Sequence, residues 1–178
     1  MSNQKIIILD YGVGNVLSLS RAIKKCEKTA ILTNDLNKIK EATHIFLPGV
    51  GAFKSAVRLL KKKKIFDVIK NIDFTKKKLM GICLGMQLLF DTSDEENLTS
   101  GLSLIPGNIK KIKIKNDKNN NCKVPNIGWH KLLTNSNREN LYDINEDVYV
   151  YFVHSYMAFM NNENHCLSYI NYGSVKIP

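Results

Sequence analysis

Apolar residues along the chain fall into short runs of two kinds, and the two kinds alternate. "KIIIL" (5–9), "TAIL" (29–32), "THIFLP" (43–48) and "KKLMGI" (77–82) are compact β-rich runs. Between them the apolar period lengthens to that of a helix. Val16, Leu19, Ile23 and Cys26 recur along 15–26, with Asn15 placed as N-cap. Residues 34–42 read as a short helix. Phe53, Ala56, Val57 and Leu60 mark a helix over 53–72, and "MQLLF" carries one over 84–90. Strands alternating with helices predict an α/β fold, an open and mostly parallel sheet flanked by helices.

The last third changes character. "NIKKIKIK" (108–115) alternates apolar and basic residues as a half-exposed strand does. The polar link "NDKNNN" (116–121) and the returning "CKVPNIGW" (122–129) make it a hairpin candidate, an antiparallel extension of the sheet. "VYVYFVHSY" (148–156) and "CLSYINYG" (166–173) read as two further strands, and 93–98 and 135–140 as polar loops. With no internal repeat and no long linker, residues 1–178 are expected to form a single domain.

Three of the predicted strands end in glycine-rich turns: Asp10-Tyr-Gly-Val-Gly-Asn15, Pro48-Gly-Val-Gly51 and Gly81-Ile-Cys-Leu-Gly85. In an open α/β sheet the ligand crevice lies outside the carboxyl ends of the strands, so the three turns are expected to line one site. A dinucleotide fingerprint fails at both of the first two, because its third glycine is Leu17 in one and Lys54 in the other. Gly-x-Cys-x-Gly between a strand and a helix has the layout of a nucleophile elbow with Cys83 as nucleophile. A helix N-terminus beneath the sulfur favours thiolate, and the Leu84 N–H, with one from the 49–51 turn, is placed to receive an oxyanion. The same pattern also suits a buried thiol at a strand–helix junction.

Charge alters this picture little. The net charge is +10, carried almost wholly by lysine. The Lys61–Lys64 run follows an amphipathic helix and reads as a solvated face, and no aromatic residues interleave the basic runs as base-stacking platforms. No nucleic-acid role is expected. Cys26, Cys83, Cys122 and Cys166 are widely spaced, as are the four histidines, which argues against a zinc site. No apolar run approaches a membrane span, and the first residues lack a secretory signal, so a cytoplasmic protein with reduced thiols is expected.

"DYGVGNVLSLSRA", "LPGVGAF", "GICLGMQLLF", "GLSLIPG", "VPNIGW" and "YFVHSY" occur in this order. Together they resemble the class I glutamine amidotransferase subunits of imidazole glycerol-phosphate synthase, from Lys5 to Gly173. The resemblance implies that Cys83 attacks the side-chain amide of glutamine, that ammonia leaves, and that water hydrolyses the thioester. It implies oxyanion donors on the backbone near Val50 and Gly51 and at Leu84, and a glutamine site at Gly49, Gln87, Ser155 and Tyr156. It implies a heterodimer with a (β/α)8-barrel synthase subunit that receives the ammonia for histidine biosynthesis. No metal or organic cofactor is implied, and no membrane.

Two features depart from that pattern. Where the family usually reads Val-Pro-His-Met-Gly-Trp-Asn, this chain has Asn126 at the histidine and His130 at the asparagine. The family's His-Pro-Glu segment, which supplies the base and its orienting acid, is not found among the 178 residues, so the domain is expected to be C-terminally incomplete. None of His44, His130, His154 and His165 is followed by an acid in a matching pattern, and no base is assigned. Three alternatives stay open: an ammonia-supplying subunit for a surface-sugar pathway, a docking subunit without turnover, and a different cysteine hydrolase using Asp143 or Asp147 with His154 or His165.

Overall fold

Strand β1 (Ile6–Leu9) is buried along its whole length, as a strand covered on both faces of a sheet must be. The computed structural model describes residues 4–114, 122–134 and 148–178. It divides into two units, Met1–Leu104 and Ile105–Pro178.

The first unit is built on β1 and three parallel neighbours. After β1 come α1 (Val16–Lys25), β2 (Ala30–Thr33), α2 (Leu36–Glu41), β3 (His44–Gly49), α3 (Phe53–Lys62), α4 (Ile65–Lys70), β4 (Lys78–Cys83), α5 (Leu84–Gln87), β5 (Phe90–Ser93) and β6 (Thr99–Ser100). The sheet order is β2-β1-β3-β4, with Ile6 facing Ala30 and His44 and with His44 facing Lys78. Asn15 caps α1 by accepting the Ser18 N–H, as the sequence suggests. Ile23 of α1 packs with Ile6 and Ile8 of β1, while Cys26 ends the helix exposed. In α3 the four apolar residues read from the sequence are all buried.

The single helix expected over 53–72 is two. Lys64 takes a left-handed conformation (φ 59°) and breaks it, which lets α4 bury Ile65, Phe66 and Ile69. The lysine run is mostly exposed, but Lys63 reaches back to donate to the Asp10 carbonyl at 3.0 Å. The helix expected over 84–90 is a single turn. After Gln87 the chain extends into β5, which pairs antiparallel with β6. The Leu88 carbonyl accepts from Leu102 N–H at 2.8 Å, and Leu89 from Leu104.

The second unit holds β7 (Ile105–Lys111), β8 (Asn126–Lys131), β9 (Leu133–Thr134), β10 (Tyr149–His154), β11 (Tyr156–Met160), a 3-10 turn at Glu163–His165, β12 (Ser168–Tyr172) and β13 (Val175–Ile177). The hairpin expected from 108–115 and 122–129 does not form. β7 pairs antiparallel with β11 and β8 with β10, so each strand finds a partner far along the chain. The run 148–156 is likewise two strands that part at Ser155, whose carbonyl accepts from Ile112 N–H at 2.8 Å. Ile112, Met157, Ile170 and Ile177 form this unit's core. The predicted loops at 116–121 and 135–140, and Asp143 and Asp147, lie outside the described residues.

Candidate active site

β3 and β4 run side by side, and their last residues, Gly49 and Cys83, stand opposite each other. The thiol is therefore delivered to the carboxyl edge of the sheet beside the 49–51 turn. Cys83 is exposed, which excludes the buried-thiol reading. Its backbone is unusual for a side-chain-bearing residue (φ 54°, ψ −117°). Such a conformation costs on the order of 1–3 kcal/mol and persists where surrounding structure over-determines it.

The surroundings that do so are glycines. A Cβ on Gly85 would run into the Leu47 carbonyl oxygen, and one on Gly81 would lie 2.6 Å from Met86 N. The sharp reversal at Cys83 thus brings α5 against the ends of β3 and β4 at distances only glycine permits. A Cβ on Gly49 would sit 2.7 Å from Gly85 N and 2.8 Å from the Tyr11 hydroxyl. Beyond it, Val50 is exposed and Gly51 has φ 102°. Leu84, next after the thiol, is buried through its side chain and anchors the turn. With α5 only four residues long, most of the expected helix dipole is missing. A negative charge at this turn would meet local N–H groups rather than a long helix dipole.

The first glycine turn joins the same cluster. The Tyr11 hydroxyl, fully buried, donates to the Pro48 carbonyl at 2.7 Å. Burial first, and then the proximity of Cys83, push the Tyr11 phenol well above its usual range, so it stays a neutral donor. A Cβ on Gly14 would touch the Pro48 ring at 3.0 Å. On the far side of the 49–51 turn, Ala52 offers α3 no side-chain cap. Glu95, from the 93–98 loop, supplies it by accepting the Phe53 N–H at 2.7 Å. Sequence reasoning missed Tyr11 and Glu95. The trace of Tyr11 is an aromatic residue set among glycines; Glu95 left none, because its partner is 42 residues away.

Gln87 is half-buried and closes α5, one helical turn after Cys83. Ser155 and Tyr156 belong to the second unit, where a chain of bonds fixes them. His154 Nδ1 donates to the Tyr156 carbonyl at 2.8 Å, which leaves its Nε2 to accept from the Asn126 amide at 3.0 Å. Asn126 Oδ1 in turn accepts from His130 Nε2 at 2.8 Å. The tautomers follow from the bonding: each imidazole donates once along the chain, and Asn126 sets the direction. With Asn at 126 and His at 130, one carboxamide and one imidazole are bonded to each other. Burial, and after it the neighbouring His130, hold His154 below its ordinary pKa.

Both nitrogens of His154 are occupied. His44 opens the strand that Gly49 ends, about 17 Å away at strand rise, and its Nδ1 meets Thr43 Oγ1.

The profile of the family "Glutamine amidotransferase class-I" matches residues 7–174. The imidazole glycerol phosphate synthase subunit HisH of Prochlorococcus marinus subsp. pastoris is 39% identical over 174 residues, covering 97% of this chain and 82% of that protein. The HisH subunit of Bacillus thuringiensis subsp. konkukian is 39% identical over 177 residues, 97% of this chain and 79% of its own. A crystal structure of a glutamine amidotransferase matches with a TM-score of 0.69 at 13% identity, over 96% of this chain and 87% of that one, a likeness of fold. With the thiol, the glycines and the family profile in agreement, the chain is a member of the class-I glutamine amidotransferase family.

Proposed function

We propose that the chain is the glutaminase subunit of an imidazole glycerol phosphate synthase, with Cys83 as nucleophile. The observation that carries this reading is the pairing of Gly49 with an exposed Cys83 at the sheet's carboxyl edge. The Cys83 sulfur adds to the side-chain carbonyl carbon of glutamine, and the carbonyl electrons move to oxygen. N–H groups at Leu84 and from the Val50–Gly51 segment hold that oxyanion. Collapse breaks the C–N bond, and the thiol's proton leaves with nitrogen as ammonia. Water then adds to the thioester, its proton returns to sulfur, and glutamate departs. Gly49 and Gln87 hold the glutamine.

The ammonia passes to a (β/α)8-barrel synthase subunit in a cytoplasmic heterodimer. The second unit offers a face suited to a partner. Ile127, Trp129, Tyr149, Tyr151 and Val153 share one side of the β8–β10 ribbon and are more than half exposed. Contiguous exposed apolar surface of this kind marks interaction sites.

The test is reaction of the full chain, with its synthase partner, with a glutamine-analogue diazo-ketone, followed by mass mapping and by glutaminase turnover against Cys83→Ala. Modification at Cys83 and turnover above the control support the reading. Partner binding without either would leave a docking subunit.

A further inference from the structure

The motif Asp10-Tyr-Gly-Val-Gly-Asn15 has no role in the chemistry above, yet its tyrosine reaches the heart of the site. β1 pairs with β3 only as far as Ile8 opposite Phe46. β3 continues to Gly49, so on its β1 side the Pro48 carbonyl lies beyond the end of the ladder. Proline brings no N–H of its own, and the residues that follow are two glycines flanking Val50, the least self-restricting backbone available. The Tyr11 hydroxyl fills the gap: it donates to the Pro48 carbonyl at 2.7 Å from a fully buried position. The Pro48–Gly49 peptide plane is thereby fixed on one side by Tyr11, and the register with Cys83 fixes Gly49 on the other.

We infer that Tyr11 is a positioning residue of the oxyanion site, its hydroxyl setting the Pro48–Gly49 peptide and through it the direction of the N–H groups that follow. The inference rests on the glutaminase reading. Tyr11 acts on the site through the Pro48 carbonyl. Its removal weakens stabilisation of the oxyanion and leaves the thiol's own reactivity alone.

The experiment compares wild type, Tyr11→Phe and Tyr11→Met in the full chain with its synthase partner. Steady-state glutaminase kinetics are measured beside alkylation of Cys83 by iodoacetamide, a displacement at saturated carbon that needs no oxyanion donor. The expected result is a fall in kcat of about tenfold, below the roughly 100- to 1,000-fold that loss of an oxyanion donor itself costs. KM and the alkylation rate stay within about twofold of wild type. Amide exchange over residues 49–52 rises while that of β1 is unchanged. Tyr11→Met fills the space without a hydroxyl and stands in if Tyr11→Phe does not fold. Failure of both to fold makes the tyrosine a stability element and overturns the inference. So does an unchanged kcat, a rise in KM alone, or a parallel loss of alkylation. Wild type without turnover or diazo-ketone labelling at Cys83 would sink the glutaminase reading itself. Labelled, active wild type with indifferent variants would sink only the role of Tyr11.

Discussion

Gly49 stands opposite Cys83 at the ends of two adjacent parallel strands, and the absence of a side chain at 49 lets the elbow at 83–85 close against it. Two turns separated by more than thirty residues of sequence thus form one surface. The consequences are open to measurement.

Cys83→Ala is expected to abolish glutaminase turnover, with a loss of at least about 1,000-fold, because no neighbouring group replaces a covalent nucleophile. Stability should change little at this exposed position, since alanine keeps the Cβ and with it the strain of the positive-φ turn. Turnover and chemical denaturation on the same samples check both statements.

Gly85→Ala is expected to destabilise the first unit by about 3 kcal/mol or more, because a methyl group there meets the Leu47 carbonyl oxygen, a backbone atom that cannot swing away. Gly12→Ala is the contrast. Nothing lies within 4 Å of its Cβ position, and only its φ of 99° opposes the substitution, at a cost of about 1 kcal/mol. Urea midpoints of the two variants test the difference.

Glu95→Ala is expected to cost about 1 kcal/mol, the worth of a helix cap, since the Phe53 N–H loses its acceptor. Glu95→Gln keeps an acceptor oxygen and should recover most of it. A pair of denaturation curves separates the two.

His154 gives the second unit a pH dependence of definite sign. Its pKa in the fold lies below the unfolded value near 6.5, so the neutral ring is the one the fold prefers. The associated stability is fully present above about pH 6.5. It is lost as pH falls from there through the lower folded value. Replacement by glutamine should flatten this part of the stability–pH curve; a slope that survives in His154→Gln would trace it to another group.

Trp129→Asp is expected to weaken binding of the synthase partner by about tenfold or more. The side chain is 68% exposed and meets Tyr151 edge to face at 5.5 Å. The isolated chain's stability should move by less than about 1 kcal/mol. Titration calorimetry with the partner, beside thermal unfolding of the free chain, checks this.

Much of the fold could be read from local signals. The alternation of β-rich and helical runs located β1 to β4, α1 to α3 and the cap at Asn15, and the spacing Gly-x-Cys-x-Gly located the elbow. Where reading failed, the cause was a partner distant in sequence. "LLF" continues a helical apolar run, but the chain leaves the helix after Gln87 because the 99–104 segment offers backbone partners to residues 88–91. "NIKKIKIK" looks like half of a hairpin, and β7 instead takes β11 as its neighbour. Alternation identifies a strand; it carries no information about which strand lies beside it.

The same division holds in the site. The sequence by itself determined the turn that carries Cys83 and the small residues around it, because the steric demands of a strand–turn–helix reversal are local and only glycine meets them. Tertiary structure alone decided what holds the glycine turns in place, the Tyr11 hydroxyl on Pro48 and the Glu95 carboxylate on Phe53, and within the second unit it decided that the Asn126 carboxamide lies between His130 and His154. Each of these hydrogen bonds joins groups that the chain brings within 3 Å only when it folds. A bond of that kind depends on distance in space, which residue order alone does not encode.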